Sequence, residues 1–166
     1  TTAEGVGTTS PAAFEGSITV VLLGNSVNVP VISAEGKVYA IIPLTSGYQE
    51  VDPGEYGAPD PAQLLSPDAG LSTLLTETTD VEEGESIRGG DNNSEVLTEF
   101  SGNLPESAAK NVIPSAEGDF EATYSITADG ELREAVITGN FYGDAGPLTY
   151  TVDFADYGIE QDIVAP

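Results

Sequence analysis

The feature that most constrains this chain is a series of short runs in which apolar side chains recur at every second residue, each run closed by glycine, proline, asparagine or aspartate. FEGSITVVLLG (14–24) sets Ile18, Val20 and Leu22 on one side and Thr19, Val21 and Leu23 on the other, so this strand is apolar on both faces. VNVPVIS (27–33) alternates Val27, Val29 and Val31 with Asn28 and Pro30. Proline brings no N–H to a ladder, which predicts an edge or a bulge at Pro30. GKVYAIIPL (36–44), SEVLTEFSGNL (94–104), GDFEATYSITA (118–128), ELREAVITGNFY (131–142) and GPLTYTVDFADYG (146–158) continue in the same style. Gly24-Asn25-Ser26 reads as a turn, and Asp129-Gly130 predicts a two-residue hairpin loop with both central residues at positive φ. The sum is an antiparallel meander forming a single curved sheet, and no repeat of solenoid or propeller period is present.

One stretch departs from the period of two. In DPAQLLSPDAGLSTLL (60–75), Asp60 is placed to cap a helix with Pro61 at its first position, and Ser66-Pro67-Asp68 repeats that start signal. Two short helices are therefore expected back to back. Leu71, Leu74 and Leu75 fall at i, i+3 and i+4 on one face of the second, a face that needs an apolar surface to cover. PESAAKNVIP (105–114) predicts a third short helix with Ala108, Ala109 and Val112 on one side. Small helices over one face of a meander enclose a space, and pattern alone leaves open whether side chains or a ligand fill it.

At 166 residues the chain has the length of one domain and can bury roughly 70% of its unfolded surface. Its 28 acidic residues against 4 basic ones give a net charge of −24, a field that repels phosphate backbones and excludes nucleic acid as a partner. Cysteine and histidine are absent, which removes disulfides, thiolate and imidazole metal sites, and Ser-His or Cys-His catalysis. No cofactor is implied. No run of apolar residues is long enough for a membrane span.

The remaining motifs carry little. Ser107-Ala-Ala-Lys110 has the S-x-x-K spacing of penicillin-binding enzymes, without the accompanying S-D-N and K-T-G. Gly5-Val-Gly7 lacks the third glycine of a dinucleotide loop. Asp80, Glu82, Glu83 and Glu85 lack the glycine and closing glutamate of a calcium loop and read as a solvated loop, and Asn92-Asn93-Ser94 reads as a polar turn.

The signature at 60–75, the preceding KVYAII, the following ESIRG and the closing DYGIEQDIVAP together resemble the actinobacterial LppX/LprG lipoprotein family, relatives of the LolA and LolB carriers. The resemblance covers essentially the whole chain. Its most specific residues here are Asp60, Pro61, Ala62, Leu64, Leu65, Pro67, Asp68, Gly70, Leu71, Leu74 and Leu75. It implies an α+β fold, a single strongly curved half-barrel sheet of LolA/LolB type with short helices over its concave face. It also implies an apolar pocket that carries multi-acylated lipid or lipoglycan across the periplasm, with no enzymatic activity.

Family members begin with a lipidated cysteine, a long helix and a first strand. This chain is expected to form a single lipid-carrier-like domain over 1–166 that starts at the second strand, downstream of a lipobox cysteine anchoring it at the outer face of the cell membrane. The candidate pocket-lining residues are Ile18, Val20, Leu22, Val29, Val38, Ile41, Leu65, Leu71, Leu74 and Leu75. The acidity favours an uncharged ligand, a neutral glycolipid or triacylglycerol, over a phosphoinositol headgroup. The competing reading is a non-catalytic accessory module that docks on a membrane transporter or other envelope complex through the sheet's polar face or its acidic loops. An acid-pair hydrolase is disfavoured because no carboxylate pair stands out.

Overall fold

Glu35 and Gly36, both at positive φ (56° and 73°), close a two-residue hairpin between β3 (Asn25–Ala34) and β4 (Lys37–Ala40). This is the turn geometry the sequence pointed to at Asp129-Gly130. At that second site only Gly130 is left-handed (φ 87°), and its N–H donates to the Thr127 carbonyl at 3.0 Å, so the loop is a longer turn ending in a glycine bulge.

The computed structural model describes residues 2–22, 25–56, 58–143 and 146–166, except the side chains of Val20, Val21, Leu22, Tyr56 and Asp91. The Gly24 turn lies outside these residues. The strands sort into two five-stranded antiparallel meanders in simple sequence order. The first contains β1 (Thr2–Thr9), β2 (Ala12–Leu22), β3, β4 and β5 (Gln49–Val51). The second contains β6 (Thr79–Gly89), β7 (Glu95–Leu104), β8 (Glu117–Thr127), β9 (Leu132–Asn140) and β10 (Leu148–Asp153). The single continuous sheet expected from the sequence is thus two sheets. The break falls where a three-residue β5 is followed by turns and helices, leaving no strand long enough to carry the ladder onward.

The chain divides into two compact units, 1–73 with 160–166, and 74–159. In the first, β3 is central by count, yet it pairs with β4 only over Val31–Ala34. Pro30 sits just where β4 gives out. Its carbonyl accepts from Ile41 N–H at 3.0 Å, and its missing N–H falls on that same unpaired side, so the proline stands at a local edge inside a central strand.

In the second unit the buried face carries Leu104, Ala122, Tyr124, Ala135 and Ile137, with Tyr124 opposite Ala135 and Ala122 opposite Ile137. The helix α3 (Glu106–Val112) lies against β8 and buries Ala108, Ala109 and Val112, the side the sequence marked. Phe120 lies on Gly139, where an added Cβ would stand 2.0 Å from the ring, and Phe141 packs tilted against Phe120 and edge-to-face against Tyr150, each pair 4.7 Å between centroids. On the other face Arg133 grips Glu95 with two hydrogen bonds of 2.7 and 2.9 Å and lies 5.3 Å from the Tyr157 ring centre. That bonding holds the Glu95 carboxyl below its usual range.

The acidic segment at 80–85, expected as a loop, is part of β6. It is exposed along nearly its whole length and carries two register shifts against β7. Charge and irregularity on an edge strand oppose pairing with other chains.

Candidate functional site

The first sheet has one face on which apolar side chains line up across four strands. Register sets Ile18 opposite Val29, Val31 opposite Ala40, and Val38 opposite Val51, all on the same side. Val31, Val38 and Ala40 are buried, while Ile18, Val29 and Val51 are partly buried against them. At the β1 end of that face Gly5 and Gly16 stand opposite each other, and Cβ atoms there would come within 2.6 and 2.7 Å of Phe14 Cζ. The missing side chains let the aromatic ring lie flat on the sheet.

The helix α1 (Pro61–Leu64) covers part of this face, lying against β2 and β3. Asp60 Oδ1 accepts from Ala62 N–H at 2.9 Å, the capping bond the sequence implied. The same oxygen accepts from the hydroxyl of fully buried Ser33 at 2.5 Å, so one carboxylate both starts the helix and fastens it to β3. Leu65, just past the helix, lies on Gly7; a Cβ there would stand 2.0 Å from Leu65 Cδ1.

Beside the apolar cluster opens a depression of about 730 Å3, whose lining includes the apolar Val38, Ile42 and Val51 and the polar Glu50, Asp52, Glu55, Asp60 and Gln63. Lys37 at its rim is bonded to Glu50 at 2.7 Å, which raises the ammonium's pKa and leaves the rim acidic. The opposite face of the sheet has its own small cluster, Ala13, Ile32, Ala34 and Ile163 with Tyr48 against it. There Gln161 of the closing segment bonds Glu15 at 3.1 Å.

Of the residues singled out from sequence, Ile18, Val29 and Val38 are brought together on the helix-covered face, and Leu65 lies on the same face at Gly7. The backbones of Val20 and Leu22 continue β2 with the alternation of Ile18, but their side chains lie outside the described residues. Ile41 stands just past β4, with its N–H on the Pro30 carbonyl; three positions on from Val38, an odd step in an extended chain, it falls on the opposite face.

The helix α2 (Leu71–Glu77) starts later than Ser66-Pro67 suggested. Residues 67–69 form a turn in which Gly70 N–H donates to the Ser66 carbonyl at 2.8 Å, and any Cβ on Gly70 would meet carbonyl oxygens at 2.4–2.8 Å. Leu71 and Leu74 are buried and Leu75 is half-buried, consistent with the one-face spacing. In the second unit the helix end is tied to β8: Thr78 hydroxyl bonds both the Leu74 carbonyl at 2.7 Å and the Tyr124 hydroxyl at 2.9 Å. Burial raises the Tyr124 pKa against the lowering effect of that bond.

Sequence reasoning missed Ala40, Val51 and the Ser33–Asp60 fastening. Ala40 follows from Val38 by the period of two. Val51 sits in a strand too short to show a period, and nothing in the sequence pairs Ser33 with Asp60.

The first sheet thus carries an aligned apolar face, partly covered by the short signature helix and set beside an acidic depression; the family of the chain follows from the sequence as a whole. The chain matches the LppX_LprAFG lipoprotein family over residues 1–163 and belongs to it. Two solved structures share the fold. LprF from Mycobacterium bovis aligns with a TM-score of 0.65 at 18% identity, over 93% of this chain and 74% of that one. The lipoprotein LppX of Mycobacterium tuberculosis aligns at 0.63 and 17%, over the same shares. Among curated proteins no sequence matches it.

Proposed function

We propose that this chain is an exported, membrane-anchored envelope lipoprotein that binds a multi-acylated lipid against the apolar face of its first sheet and carries it across the periplasm, without catalysis. The observation that carries the reading is the alignment of Ile18, Val29, Val31, Val38, Ala40 and Val51 across four strands beneath a family-specific helix, with Ile18, Val29 and Val51 only partly covered. Half-barrel curvature of LolA/LolB type belongs to the same proposal, as does a role for Leu71, Leu74 and Leu75 in the pocket wall.

Energetics supply the need for such a protein. At about 0.8 kcal/mol per buried CH2, a chain of ~15 methylenes contributes roughly 12 kcal/mol to staying in a bilayer, so a lipid with two or three chains does not cross water unaided. An apolar surface that matches this burial makes transfer nearly neutral. The depression bordered by Glu50, Asp52, Glu55 and Asp60 favours an uncharged headgroup, a neutral glycolipid or a triacylglycerol, since carboxylates accept from hydroxyls and repel phosphate.

The test is Ile18→Trp, measured by binding of a fluorescent acyl probe in solution and by thermal unfolding. If ligand occupies the face, the indole fills ligand space, and probe binding is lost while the unfolding midpoint changes little. If the face is closed by protein, overpacking lowers stability by about 1–3 kcal/mol and leaves probe binding unchanged, which contradicts the proposal.

A further inference from the structure

The segment joining β4 to β5 contains a residue that the fold penalises and does not reward. Pro43 and Leu44 take the two central places of a turn closed by Thr45 N–H to the Ile42 carbonyl at 3.1 Å, and the Thr45 hydroxyl donates to the same oxygen at 2.7 Å. Leu44 stands there at φ 74°, the left-handed place where such turns take glycine or asparagine. Its side chain is fully exposed, so no packing within the chain compensates. A branched apolar residue held in a glycine position at a fixed, exposed tip gains only from something outside the chain.

Three further observations indicate what that is. From Val38 to Gln49 no residue is charged, in a chain of net charge −24. The tip residues are apolar, Ile42-Pro43-Leu44. Ile42 also borders the depression beside Val38 and Val51, so the turn adjoins the proposed ligand face.

We propose that the Ile42–Thr45 turn is a membrane-contact tip, with Leu44 entering the interface of an uncharged lipid surface while ligand passes beside it. The inference rests on the lipid-binding reading and names the surface with which that site exchanges. One turn gives shallow, reversible contact, which suits a carrier that must leave again. Anionic lipid opposes the approach because the rest of the chain repels it.

The experiment uses vesicles of phosphatidylcholine, alone and with added phosphatidylglycerol. The chain has no tryptophan, so Leu44→Trp provides a single fluorescent reporter. Its emission is expected to shift to shorter wavelength on phosphatidylcholine vesicles and less so as the anionic fraction rises. Leu44→Gly is expected to raise the unfolding midpoint, by relieving the left-handed strain, and to weaken vesicle co-flotation by about tenfold or more. Opposite signs for stability and binding separate contact from folding. Acyl-probe binding in solution should be unchanged in Leu44→Gly, which keeps this test distinct from that of the ligand face. Background flotation of both the unsubstituted chain and Leu44→Gly, or an unshifted tryptophan, overturns the proposal and assigns the turn to a protein partner.

Discussion

Asp60 is a single residue with two structural tasks, and Glu134 is one whose surroundings oppose its charge. Glu134 faces Asp153 directly across β9 and β10, and Glu99 lies beyond Ser125 in the same cross-strand row. Burial and these two neighbouring carboxylates raise its pKa. A raised folded-state pKa in an acid means that the folded state binds the proton more tightly than the unfolded one. Glu134 therefore costs stability above its folded pKa, and the cost disappears as pH falls below the unfolded value. Glu134→Gln is expected to raise the unfolding midpoint at pH 7 and to leave it unchanged near pH 3, as followed by circular dichroism. Glu95 has the opposite sign. Its lowered pKa contributes stability above the unfolded value that is lost on acidification, so the two acids partly offset each other in the pH profile.

At the scale of the element, the four-residue signature helix is fastened to β3 through its cap, Asp60. Removing the Asp60 side chain leaves Ala62 N–H and the buried Ser33 hydroxyl without their acceptor. Asp60→Ala is expected to cost about 1–2 kcal/mol in denaturant unfolding, and Asp60→Asn less, because the amide oxygen still accepts. Legibility in the sequence divides along the same physical line. The strands β3, β4, β8 and β9 announce themselves because side chains on one side are buried, and burial writes a period of two into the sequence, while β2 and β10 show the same alternation with little or no full burial. The strands β1, β5 and β6 do not: TAEGVGTT and TDVEEGESIRG are mostly exposed, and QEV is three residues. Such strands are held by backbone hydrogen bonds, which every residue type but proline supplies alike, so they leave no pattern. The start of α2, at Leu71 and not at Ser66-Pro67, has a related cause. Ser-Pro-Asp is a start signal in isolation, but here the close approach of Gly70 to the end of α1 makes those residues a turn.

For the whole molecule, local pattern and overall resemblance carried different parts of the account. Pattern identified an antiparallel protein with three short helices and the face holding Ile18, Val29 and Val38. It could not find the division into two sheets, which depends on where β5 stops, nor the acidic depression, which gathers residues from β4, β5 and α1 that share no motif. Membership of the lipoprotein family supports the proposal that the partly covered apolar face is a lipid site. That step is decided most directly by purifying the chain from its native host, extracting it with organic solvent and analysing the extract by mass spectrometry. The account predicts a multi-acylated species with an uncharged headgroup, bound near one per chain and depleted in Ile18→Trp. An extract containing no more lipid than that of an unrelated protein purified in parallel, or the same lipid retained by Ile18→Trp, would contradict it.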